Sequence, residues 1–80
     1  MKREEKIQRA RQGFEREYGP IGLYRHVTVD YFFGEPPMTI DVAIERLYAP
    51  GVDPETREHL GAAIDQAVAG ATIAPRRLAV

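Results

Sequence analysis

Apolar and polar residues alternate along this chain with two different periods. Over residues 1–18, Ile7, Ala10, Phe14 and Tyr18 recur at spacings of three and four. That narrow stripe predicts one amphipathic helix. Glu5 stands four residues before Arg9, the favourable order for an exposed ion pair. Gly13, inside the element, costs about 1 kcal/mol relative to alanine. Gly19-Pro20 ends the helix, because proline disfavours helical geometry in the residue before it.

From Leu23 to Phe33 the period falls to two. Leu23, Val27, Val29, Tyr31 and Phe33 share one face, and Tyr24, His26, Thr28, Asp30 and Phe32 the other. A second alternating run sets Met38, Ile40, Val42 and Ile44 against Thr39, Asp41, Ala43 and Glu45. Gly34-Glu35-Pro36-Pro37 between the runs reads as a turn, since neither proline can donate to a ladder. The two runs predict an antiparallel hairpin. Opposing Phe33 to Met38 pairs Tyr31 with Ile40, Val29 with Val42 and Val27 with Ile44. A one-residue slip would set apolar against polar throughout. The same register puts His26 opposite Glu45 and Asp30 opposite Asp41.

Ala49-Pro50-Gly51 breaks the second run. Asp53 then reads as an N-cap with Pro54 at the first helical position and Glu55 and Glu58 near the positive end of the helix. Leu60, Ile64 and Val68, flanked by Ala63, Ala67 and Ala71, give this helix its apolar face, and Gly70 stops it. The expected fold class is α+β, helix–β-hairpin–helix (αββα), as a single small domain over residues 1–71. Residues 72–80, with Arg76-Arg77, read as a C-terminal tail. A two-stranded sheet leaves open edges, and a domain this small is marginal. A homodimer or larger oligomer, with the sheet extended across copies, is therefore expected.

Composition narrows the chemistry. At 44% hydrophobic and 29% charged residues the 80-residue chain is globular rather than disordered. A net charge of −1 draws it neither to nucleic acid nor to membrane in bulk. Without cysteine it can form no disulfide and use no thiolate, and without serine it has no serine nucleophile. No apolar run exceeds three residues, which argues against a membrane span or signal peptide and makes a cytoplasmic location the expectation. No cofactor or metal is expected: His26 and His59 fit no ligand spacing. No motif carries a family assignment.

Three constellations remain. Tyr24, Thr28 and Phe32 on the outer sheet face could stack bases or form a protein interface; the neighbouring acids repel phosphate and favour the interface. His26, Asp30, Asp41 and Glu45 would make an acid–base or ion site if the ladder brings them together, and the ordinary alternative is a solvated face. Lys2, Lys6, Arg9 and Arg16 form one stripe of the first helix and could follow a phosphate backbone. Residues 1–18 carry six basic and four acidic side chains, residues 19–74 three basic and eight acidic ones. The leading expectation is a non-enzymatic interaction module that self-associates through its hairpin and helices. A nucleic-acid-associated protein using the basic stripe, and an acid–base enzyme with a site at a subunit boundary, are the alternatives.

Overall fold

The computed structural model describes residues 2–71, so the expected tail with Arg76-Arg77 lies outside the described residues. Helix α1 spans Arg3–Tyr18, as the stripe predicts, with Ile7 and Phe14 buried. Its stop is Gly19, whose φ of 99° suits glycine and whose N–H donates to the Glu15 carbonyl. Glu5 does not reach Arg9. Its Oε1 instead accepts from the Lys2 backbone N–H at 3.3 Å, satisfying a donor at the helix start.

A short 3-10 turn, Ile21–Tyr24, leads to strand β1 (Thr28–Val29), which pairs antiparallel with β2 (Met38–Thr39). Val29 and Met38 are buried, while Thr28 and Thr39 are exposed, so the ladder has one inner face. The hairpin is present, but its register differs from the expected one. Thr28 opposes Thr39 and Val29 opposes Met38. The slip from the expected pairing is four residues, an even number, and an even slip keeps apolar opposite apolar. Alternation alone excludes only odd slips.

The larger correction is at residues 40–46, where a helix replaces the second half of the expected strand. Helix α2 spans Ile40–Arg46. Thr39 caps it, its Oγ1 accepting from the Val42 N–H at 3.3 Å. Ile40, Ala43 and Ile44 are buried at helical spacing, whereas Val42 is 44% exposed. Helix α3 spans Pro54–Ala69, as predicted, with the Asp53 carboxylate accepting from the Thr56 N–H at 2.9 Å. Hydrogen bonding from Thr56, by its side chain first and its backbone N–H second, holds the Asp53 carboxyl below its usual range. The order is α1, β1, β2, α2, α3: a small α+β fold with a two-stranded hairpin.

The core joins all of these elements. Helix α3, with Leu60, Ile64 and Val68 buried, packs against β1 and α2, while α1 packs against α2. Ile40, Ile44 and Leu60 are the largest fully enclosed side chains. Arg57 fastens the α2–α3 connection. Its Nε donates to the Leu47 carbonyl at 2.9 Å and its guanidinium lies 4.9 Å from the centre of the Tyr48 ring. A cation placed there also complements the negative end of α2.

Candidate functional site

The hairpin loop, residues 30–37, carries three consecutive aromatics. Its path has local causes. Glu35 N–H donates to the Phe32 carbonyl at 3.1 Å, closing a tight turn around Phe33 and Gly34. Gly34 takes φ 85°, a left-handed value that glycine adopts freely. Pro36 and Pro37 then hold the returning chain extended.

Side chains brace this turn from below. Tyr31 and Phe32 meet edge to face at 4.9 Å, both half-buried against the core. Arg46, in the last turn of α2, lies 4.2 Å from the centre of the Phe32 ring. The same guanidinium forks the Glu35 carboxylate, with Nη1–Oε1 at 3.0 Å and Nη2–Oε2 at 3.5 Å. The Arg46 hydrogen bond holds the Glu35 carboxyl below the usual range. Phe32 and Glu35 are thus both held by one arginine. Phe33, between them, projects into water with a relative exposure of 105%.

An exposed phenyl ring on a tied loop is an unspent interaction. Burying a phenylalanine side chain is worth roughly 1.5–3 kcal/mol relative to leaving it in water. Leu23 and Val42, at 42% and 44%, are the other large apolar side chains left open among the described residues. Neither approaches the exposure of Phe33.

The three expected interface residues do not share a face. Tyr24 is a core residue at 4% exposure, because the 3-10 turn points its ring inward against Phe14 at 5.5 Å. Its hydroxyl donates to the Tyr18 carbonyl at 2.8 Å. Thr28 is exposed on the outer side of the ladder, and Phe32 lies beneath Arg46 in the loop.

The expected cross-strand acid pairs do not form, because Asp41 and Glu45 belong to α2 rather than to a strand. There they stand one turn apart and share Arg11 of α1, at 2.7 Å and 3.6 Å. His26 is exposed in the turn before β1, and Asp30 is exposed where the loop begins. Among the described residues no group of three or more His, Asp or Glu could hold a metal ion. Lys2 at the cap of α1 and Lys6, Arg9 and Arg16 along it are all exposed, with no ion-pair partner among the described residues. No described helix is long and apolar enough to cross a membrane.

Arg11 and Arg46, the two residues that organise these groups, were missed in the sequence because 40–46 read as a strand. The helical reading puts Asp41 and Glu45 four apart on one face and leaves Arg46 in the last turn. Comparison of the chain with protein-family models, with curated proteins and with solved structures finds no match. Function rests on the geometry.

Proposed function

We propose that this chain is a small non-enzymatic protein-interaction module that self-associates, with the aromatic hairpin loop as its contact. The full exposure of Phe33 on a braced loop carries the reading. Aromatic side chains are enriched where interfaces bury most area, and an anchor held in place loses little entropy on docking. Tyr31 and Phe32 extend the apolar surface around it. Extension of the sheet across copies contributes less, since strands of two residues present a short edge.

The experiment is solution mass by light scattering at two protein concentrations, on the wild type and on Phe33→Glu, with helix content by circular dichroism as the control. The reading expects a wild-type oligomer and a monomeric, equally helical variant. A wild-type monomer, or an oligomer that survives the substitution, overturns it. The bare cationic stripe on α1 favours a second reading, nucleic-acid association, whose mark would be binding that weakens steeply with salt.

A further inference from the structure

A groove of about 190 Å³ runs between α1 and α3, lined also by Ile44 of α2 and by Leu47 just after it, and shares no residue with the hairpin loop. Phe14 and Ile64 supply apolar walls. Its rim is acidic on both sides: Glu17 on α1 and Asp65 on α3. Tyr18 bridges the two helices at one end, its hydroxyl donating to Asp65 Oδ1 at 2.9 Å.

Two glycines keep this groove open. Gly13 and Gly61 both line it, each inside a helix, where glycine is less stable than alanine. Neither has a positive φ, and a Cβ built on either would meet no atom within 4 Å. Close packing of the helices therefore requires neither glycine. What an added side chain would fill at both is the groove.

We infer that the groove is a docking site for a partner segment bearing an apolar side chain flanked by Lys or Arg. The apolar lining accepts the side chain and the two rim carboxylates face the flanking cations. Glu17 has no ion-pair partner among the described residues, and Asp65 Oδ2 remains for a second donor. Charge argues against Phe33 of a second copy as the occupant, since the loop, residues 30–37, carries no Lys or Arg to meet Glu17 and Asp65, and the nearby Arg46 is already paired with Glu35. The groove thus takes a different partner from the loop, and this proposal does not rest on the loop reading.

The test is an amide-shift titration of the ¹⁵N-labelled chain with a blocked pentapeptide carrying leucine between two arginine pairs. A matched peptide with glutamates in place of the arginines is the comparison. The proposal expects saturable shifts at the Gly13 and Gly61 amides with the arginine peptide and none with the glutamate peptide. Glu17→Gln should weaken binding several-fold. Gly61→Ala should raise Tm by several degrees, through helix propensity, while binding weakens; Gly61→Leu, which fills the groove further, should abolish the shifts. Equal response to both peptides, saturable shifts mapping elsewhere, no saturation at millimolar peptide, or full binding by a folded Gly61→Leu variant would each overturn it. Loss of oligomerisation in Phe33→Glu, by contrast, would leave this titration unchanged.

Discussion

Residues 42 and 43 exchange roles between the strand expected from alternation and the helix that forms, so paired substitutions there separate the two. Val42 is 44% exposed, and Ala43 is 0% exposed. In Val42→Ala, two partly buried carbons are lost at about 0.8 kcal/mol each if fully buried, so about half of that here. Alanine returns roughly 0.5 kcal/mol of helix propensity over valine. The net change should lie within about 0.5 kcal/mol of zero. Ala43→Leu forces three carbons into closed space, an overpacking that costs roughly 1–3 kcal/mol. For a domain of this size 1 kcal/mol moves Tm by about 4–8 °C. Urea and thermal unfolding followed by circular dichroism would read both. Were 40–46 a strand with Val42 inward, the order would reverse: Val42→Ala would be the damaging change and Ala43→Leu nearly silent. That result would refute the helical account of this segment.

Two further predictions concern the core and the α1–α3 bridge. Leu60 is fully enclosed, so Leu60→Ala should cost about 2–5 kcal/mol, a large part of a small domain's stability. A urea midpoint that barely moves would contradict the core as described. The Tyr18 phenol is pushed up to about 12, first by its hydrogen bond to Asp65 and then by burial. Because the folded value exceeds the ordinary 10.0, the contribution is complete below pH 10 and is lost as pH rises from there through about 12. Tyrosinate absorbance should show one late-ionising tyrosine, absent in Tyr18→Phe and returned toward 10 in Asp65→Asn; a normal titration in the wild type would deny the bond.

The two long helices were legible because their signals agree with one another. In α1 the stripe Ile7, Ala10, Phe14, Tyr18 runs directly into Gly19-Pro20, and in α3 Asp53-Pro54 announces Leu60, Ile64 and Val68. Helix α2 was obscured because its apolar residues fit both periods. Ile40, Val42 and Ile44 alternate, but Ile40, Ala43, Ile44 and Leu47 also follow a helical turn, and alanine hides the second pattern. Thr39 followed by Asp41 was the available clue, a cap and an acid in the first turn. The shared alternation also carried the hairpin register astray by an even step. Tyr24 falls on the outer face under a two-residue period, whereas it ends a 3-10 turn that buries its ring. The aromatic loop is half visible: Tyr31-Phe32-Phe33 and the prolines stand out in the sequence, but the brace from Arg46 depends on α2 being a helix.

The central claim is that the braced loop is where copies of this chain meet. A dilution series followed by amide chemical shifts, residue by residue, tests it most directly. The account predicts concentration-dependent shifts centred on Tyr31 to Glu35, with α1 and α3 unmoved. No change on dilution of a monomeric chain, or changes centred on another face, would contradict it.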